Sequence, residues 1–239
     1  MPDPSFLLIA GTAVVLGAIL QTGVGLGLGL VAAPVVVVVA PSLMPGALLI
    51  ATAVLPMFTL TTEWRHIDWR GLAWGLPARI PGSVAGAWVV ATADRAALGV
   101  VVGTMVLAAV GLSLWSGRVR ITPATLMAAG AVSGLTSTAT SIGGPPVALL
   151  YQHEPAQRVR GTLAGFFLFG VAISLGVLAA AGQLHAREVH AGLWLVPFVI
   201  AGFLAGRRLT RVVDAGRMRA ALLAVVAVSG AALVAQSVL

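Results

Sequence analysis

Cysteine, lysine and asparagine are missing from this sequence, and charge is scarce. There is no cysteine, which excludes disulfides, thiolate catalysis and cysteine-ligated metals. There is no lysine, so all 14 basic residues are arginine. Only 9% of the 239 residues are charged, against about 25% in a soluble domain. Such a chain cannot cover a water-facing surface. With 59% hydrophobic residues it reads as an integral membrane protein. The net charge of +7 does not point to nucleic acid, because the arginines stand singly or in short groups between apolar runs. They read instead as topology signals on cytoplasmic loops of an inner (plasma) membrane protein. The opening MPDPSFLL has no basic n-region, which predicts no cleaved signal peptide. No long polar tract marks a second, soluble domain.

What is present is a series of apolar segments: 6–39, 47–62, 71–92, 96–116, 122–150, 161–182, 190–206 and 219–238. Six are about one bilayer long, since a span needs about 20 residues. The other two, 6–39 and 122–150, are too long, and each is interrupted by glycine-rich or Gly-Pro sequence. Each opens one half of the chain, and the halves resemble one another. At an offset of 120, WGLPARIPGSVAG falls on WLVPFVIAGFLAG. Trp74 then meets Trp194, Pro77 meets Pro197, Gly82 meets Gly202, Gly86 meets Gly206 and Asp94 meets Asp214. At an offset of 111, Gly23 meets Gly134 and Pro34 meets Pro145. The ordered matches predict a duplication, with 1–117 as the first transmembrane repeat and 118–239 as the second.

Arginine placement sets the orientation. Loops 63–70, 117–121, 151–160 and 207–218 hold Arg65, Arg70, Arg118, Arg120, Arg158, Arg160, Arg207, Arg208, Arg211 and Arg217, with Arg219 just beyond. The remaining loops hold only Arg95 and Arg187. Putting the basic loops in the cytoplasm places 117–121 and 151–160 on one side, with a single long segment between them. That segment must leave and return on the same side, as a re-entrant hairpin of two short helices turning near SIGGPP. By symmetry 6–39 is the other hairpin, turning near QTGVGLGLG. The predicted fold is an all-α membrane protein: an inverted repeat of two halves, each a re-entrant broken-helix hairpin plus three transmembrane helices.

A break inside a membrane must be buried in protein or line an aqueous cavity, because lipid cannot satisfy the freed backbone groups. The first N–H groups of a new helix carry the positive end of its dipole. Pro145 or Pro146 can start a helix through VALLY, and Pro34 one through VVVVV, since proline suits the first helical position. Two such starts would form a paired anion site near the midplane. Beside the second break stand the hydroxyls of Thr136, Ser137, Thr138, Thr140 and Ser141, able to donate to an anion without carrying charge. Alternatively they bond their own helix carbonyls. Gln21 and Thr22 stand near the first break. The candidate substrate-binding set is Gln21, Thr22, Gly23, Gly25, Gly27, Pro34, Arg79, Thr136, Ser137, Thr138, Thr140, Ser141, Gly143, Gly144 and Pro145. Arg79 lies inside the third apolar segment, about 12 Å deep at about 1.5 Å per residue. It either snorkels toward Glu63 and Asp68 or adds positive potential and bidentate binding to an anion path.

Other chemistry finds little support. HEPAQ at His153 lacks the second histidine of a zinc-protease helix, and no G-x-S-x-G occurs. GLGLVA has no βαβ setting for a dinucleotide. No catalytic residue, metal or cofactor is therefore expected; a structural protein or a membrane enzyme without transport is the alternative. His66, His153, His185 and His190 fall in loops or at segment ends and read as interfacial, with a proton relay at His153 as the alternative. All seven carboxylates fall outside the predicted core, leaving the coupling mode open.

The stretches GLGLGLVAAP (25–34), EWRHIDWRG (63–71) and SGLTSTATSIGGPPVALLYQHE (133–154) resemble the TauE/SafE family of sulfite and organosulfonate exporters, also called the toluene-sulfonate uptake permease family. The resemblance covers nearly the whole chain. It implies a multi-pass inner-membrane permease for sulfur-containing oxyanions or related sulfonates and carboxylates. The implied partners are a small anionic substrate and the lipid bilayer, with no nucleic acid and a homodimer left open.

Overall fold

The computed structural model describes residues 3–115, 117–209 and 215–238. Among them all regular structure is helical. The α-helices are α1 (Pro4–Val24), α2 (Leu28–Val39), α3 (Gly46–Glu63), α4 (Trp69–Thr92), α5 (Arg95–Leu114), α6 (Pro123–Thr140), α7 (Gly144–Tyr151), α8 (Ala156–Ala180), α9 (Ala186–Leu209) and α10 (Ala215–Val238). Short 3₁₀ turns at Pro41–Leu43 and Trp64–His66 flank α3.

The scarce carboxylates are used partly as helix starts. Asp3 accepts from the Ser5 N–H before Pro4-led α1, Asp68 from Gly71 at 3.0 Å before α4, and Asp94 from Ala97 at 2.7 Å before α5. These side chains satisfy orphan N–H groups and complement the dipole. At α6 a capping box of Thr122 and Thr125 does the same, followed by Pro123.

Among the described residues five helices are long and apolar enough to cross a membrane: Pro4–Val24, Gly46–His66, Ala96–Leu114, Ala156–Ala180 and Ala186–Leu209. Helix α4 is as long, at 24 residues, but carries Arg70, Arg79 and two internal prolines. All six tryptophans are exposed on the bundle, as are Leu8, Leu114 and Val228, which is the surface a lipid-facing protein presents.

The helices pack in corresponding pairs. Helix α4 runs along α6 and α1 along α9, α3 meets α8, and α5 meets α10. Glycine sets the closeness of the first two contacts. A Cβ at Gly82 or Gly130 would strike the carbonyl of Ala131 or Gly75, and one at Gly202 would lie 2.6 Å from the Val15 carbonyl. Gly86 and Gly206 belong to the same contacts.

Both expected breaks occur. Helix α1 ends at Gly25, whose φ of 88° is left-handed, and α2 starts at Leu28. Helix α6 ends at left-handed Ser141 (φ 63°) and α7 starts at Gly144. After each break the chain passes close to the helix it has left. A Cβ at Gly143 would lie 2.6 Å from that of Ser137, one turn before the break, and one at Gly17 would lie 2.8 Å from the Leu28 Cα. Two expectations need correction. The arms are unequal, 21 and 12 residues in the first case and 18 and 8 in the second, so α1 is no short arm. Pro34 does not start a helix: α2 begins six residues earlier, and Pro34 sits buried inside it. Leu28, Gly29 and Leu30 extend the helix toward the break because the Gln21 side chain accepts the Leu28 N–H at 2.9 Å.

The chain segments on either side of α6–α7 lie together. Gln152 Nε2 donates to the Gly117 carbonyl at 3.1 Å. Nearby, Arg160 donates to Glu63 at 2.6 Å and Arg158 to Asp68 at 3.0 Å, so loops 63–70, 117–121 and 151–160 share one end of the bundle. Of the expected basic loop 207–218, residues 210–214, with Arg211, lie outside the described residues, as do the side chains of Arg95, Arg217 and Arg219.

Candidate functional site

The two breaks face each other. A Cβ on Gly29, in the first turn of α2, would strike the carbonyl of Ser141, where α6 ends. This close approach leaves a cavity of about 40 Å³ between them. That is room for a few water-sized spheres at about 10–15 Å³ each. Both helix starts open into it. Neither Gly27 nor Gly143, the residues before the first turns, supplies a side-chain cap. By position, the N–H groups of Gly29, Leu30 and Gly144 have no partner inside their helices. Pro145, second in α7, contributes no donor.

Arg79 enters the cavity from the middle of α4 and is 1% exposed. Its Nε donates to the Gly170 carbonyl at 3.2 Å, Nη1 to Ser133 Oγ at 2.8 Å and Nη2 to Ser174 Oγ at 3.3 Å. Its carbon lies 5.2 Å from the Phe166 ring centroid, a cation–π contact. Gly170 makes this fit possible, since a Cβ there would lie 2.5 Å from the guanidinium carbon. A guanidinium has five N–H donors, and three are used. All three acceptors are neutral, so the buried charge has no carboxylate partner in this pocket. The snorkelling alternative fails on this geometry. Glu63 is held by Arg160 and by His66 at 3.3 Å. Asp68 is held by Arg158 and by the Tyr151 hydroxyl at 3.0 Å.

Of the candidate residues, Gln21, Gly27, Arg79, Ser137, Ser141, Gly143, Gly144 and Pro145 line this cavity. The hydroxyl cluster divides. Thr136 donates to the Val132 carbonyl at 3.0 Å and Thr140 to that of Thr136 at 2.7 Å, the local back-bonding that threonine makes in helices. Thr138 donates to Ser174 Oγ at 2.8 Å and so supports the Arg79 acceptor from behind. Ser141 donates to the Pro45 carbonyl at 3.1 Å. Ser137 makes no side-chain hydrogen bond among the described residues and borders the cavity. Gly23 and Pro34 do not border it; Thr22 donates to the Ala18 carbonyl.

Several lining residues were not anticipated: Gly29 and Leu30, Thr52 of α3, and Phe167 and Val171 of α8. Ser133, which donates to the Gly143 carbonyl while accepting from Arg79, was also missed. Helical spacing offered a signal, since Ser133 lies four residues before Ser137 on one face.

Two further spaces lie between this cavity and the arginine-rich end. Gln21 and Phe167 also border a space of about 30 Å³ lined by Thr22, Gly25, Thr59 and Arg160. Thr22, Thr59 and Arg160 in turn border a vestibule of about 400 Å³ that includes Glu63 and Arg207. Polar groups and arginines thus line three neighbouring spaces between the bundle end and the broken helices.

The comparisons agree with this picture of a membrane protein. The profile of the sulfite exporter TauE/SafE family matches residues 9–233. A Cupriavidus necator protein described as "Probable sulfite/organosulfonate exporter TauE" is 28% identical over 213 residues, covering 80% of this chain and 79% of that one. No solved structure matches. The chain belongs to the TauE/SafE family.

Proposed function

We propose that this TauE/SafE-family chain is a plasma-membrane permease, not an enzyme. It moves small sulfur-containing oxyanions, sulfite or an organosulfonate, or a related carboxylate. The anion binds between the two broken helices and crosses by alternating access. The observation that carries this reading is Arg79: a buried guanidinium with only neutral acceptors among the described residues, opening into a cavity that meets two helix starts, with the N–H groups of Gly29, Leu30 and Gly144 turned to it and no side-chain cap from Gly27 or Gly143. A charge at such depth is costly unless something answers it. An oxyanion answers it, and takes donors from the guanidinium, from Ser137 and from backbone N–H groups together. The apolar walls of Phe167, Val171 and Ile142 strengthen those contacts by excluding water. The name of the Cupriavidus necator relative supports the substrate class.

The proposed architecture is an inverted repeat of 1–117 and 118–239. Its support is the correspondence of packing partners, α4 with α6 and α9 with α1, together with a break after the first helix of each half. The contact of Gly117 with Gln152 supports a hairpin that enters and leaves on one side. Putting the arginine-rich end in the cytoplasm makes this a cytoplasm-facing state. The test is flux in liposomes containing the purified protein. Sulfite, an aryl sulfonate or a carboxylate should cross in a saturable way and compete with one another. Flux of none of these above protein-free liposomes contradicts the proposal.

A further inference from the structure

The carboxylates were expected outside the core, and one is not. Glu188, in the first turn of α9, is 3% exposed. Its Oε2 is buried and has no hydrogen-bond partner among the described residues. It lies against Gly46, the first residue of α3, where a Cβ would strike it. No side chain caps that helix start. Its Oε1 lies 3.5 Å from His185 Nδ1, and the His185 side chain is 54% exposed. Glu63 closes the other end of α3, about 27 Å away at about 1.5 Å per residue, so Glu188 occupies the end opposite the arginine-rich vestibule.

The surroundings favour a proton over a metal ion. Among the described residues no group of three His, Asp or Glu could hold a cation. The 3₁₀ turn Pro41–Leu43 and the start of α3, packed against this end of α9, bring no titratable group. Elsewhere at this end, Asp3 and Asp94 cap their own helices, and Arg187 and His190 are exposed. His185 is the side chain in contact with Glu188 among the described residues, and the exposed Arg187 adds its positive charge nearby.

The carboxylate is also mechanically close to the cavity. Ser141, which lines the cavity, donates to the carbonyl of Pro45, and the next residue, Gly46, is the one pressed on Glu188. We propose that Glu188 is a proton-binding site loaded from solvent through His185, and that its charge state acts through the Pro45–Gly46 turn on the cavity to couple anion movement to protons. The His185 imidazolium gives its Nδ1 proton to Oε1 of Glu188 and regains one from water. The coupling rests on the permease reading; the proton site does not.

Two measurements on the full chain in phosphatidylcholine vesicles separate them. In infrared difference spectra taken across a pH jump, the wild-type protein should show a protonated-carboxyl signal that Glu188→Gln lacks. Glu188→Asp should shift it, and His185→Gln should slow its appearance. A wild-type spectrum unchanged by Glu188→Gln and Glu188→Asp overturns the proton site. In sulfite flux, one coupled proton makes the wild-type accumulation ratio change by about tenfold per pH unit of imposed gradient. Glu188→Gln should keep flux without a gradient and lose that dependence. Equal pH responses in both proteins overturn the coupling. A Glu188-dependent proton signal with no flux of any anion overturns the permease reading and leaves the proton site standing.

Discussion

The chain breaks its helices at two places, α1–α2 and α6–α7, with different residues. In the first, glycine turns the chain at Gly25 and Gln21 takes one N–H, leaving those of Gly29 and Leu30 at the cavity. In the second, Ser141 turns the chain, Thr140 accepts the Ile142 N–H at 3.3 Å, and two prolines strip donors from the helix start. The first break is therefore rich in backbone donors and the second in hydroxyls. The helices behind them differ as well. Arg79 lines the cavity from α4, whereas Val199, at the offset of 120, is an ordinary buried residue of α9. At the same offset Asp68 is bonded to Arg158 and Tyr151, while Glu188 lies 3.5 Å from His185 with its Oε2 unbonded among the described residues. If the proposed repeat holds, its frame carries one charged side chain, not two, at its centre.

The comparison breaks most completely if the backbone approach is blocked. Gly29→Val should abolish sulfite flux, because its side chain would collide with the Ser141 carbonyl. Gly143→Leu should do the same by pressing on Ser137. Both proteins should still reach the membrane, as surface labelling of the otherwise cysteine-free chain with one added cysteine will report. Normal flux in either well-inserted variant removes that break from the site.

A smaller effect is expected from charge. Hydrogen bonds to a charged group contribute about 1.5–3 kcal/mol each. Arg79→Ala should thus weaken sulfite affinity by about 10–100-fold, and Arg79→Lys by less, because lysine keeps the charge without the planar fork. The reciprocal change, Val199→Arg, should not substitute for Arg79, since α9 lacks the Ser133–Ser174 cradle.

Hydroxyl changes should be smaller still and uneven. Ser137→Ala should lower affinity by about three- to tenfold, from about 0.5–1.5 kcal/mol per hydrogen bond. Thr136→Val should leave affinity unchanged, because that hydroxyl is occupied by its own helix. Equal losses at both positions would contradict the division of the cluster.

The mildest expected effect concerns the paired carboxylate. Burial pushes the Asp68 carboxyl up, but the Gly71 N–H, the Tyr151 hydroxyl and Arg158 together hold it below its ordinary value of 3.8. Its contribution to stability is therefore present above that ordinary value and is lost as pH falls through the lower folded value. Acid unfolding in detergent should lose part of its steepness in Asp68→Asn, measured by tryptophan fluorescence. An unchanged acid limb would show that the pairing does not stabilise the fold.

Much of this architecture was legible in the sequence because its signals are local. Apolar length marked the segments, a glycine-rich run located the first break and a Gly-Pro cluster the second. The match of 9–233 to the TauE/SafE family agrees with the resemblance carried by the motif stretches. What misled was proline: Pro34 suggests a helix start by its fixed φ, yet Gln21 capping pulls the true start back to Leu28. Gly29 was missed for the same reason. The hydroxyl cluster was legible as a group but not residue by residue, because one helix turn decides whether an oxygen faces the cavity or its own backbone. Glu188 was hidden because its burial comes from α3, far away in sequence.

The claim that everything else depends on is that an oxyanion sits between the two broken helices against Arg79. Calorimetric titration of sulfite into the purified protein tests it most directly, with wild type, Arg79→Ala and Thr136→Val compared at one salt concentration. The account predicts saturable binding by wild type, the same affinity for Thr136→Val, and a loss of about 10–100-fold for Arg79→Ala with its helical circular dichroism intact. Equal sulfite affinity in a folded Arg79→Ala protein would contradict it.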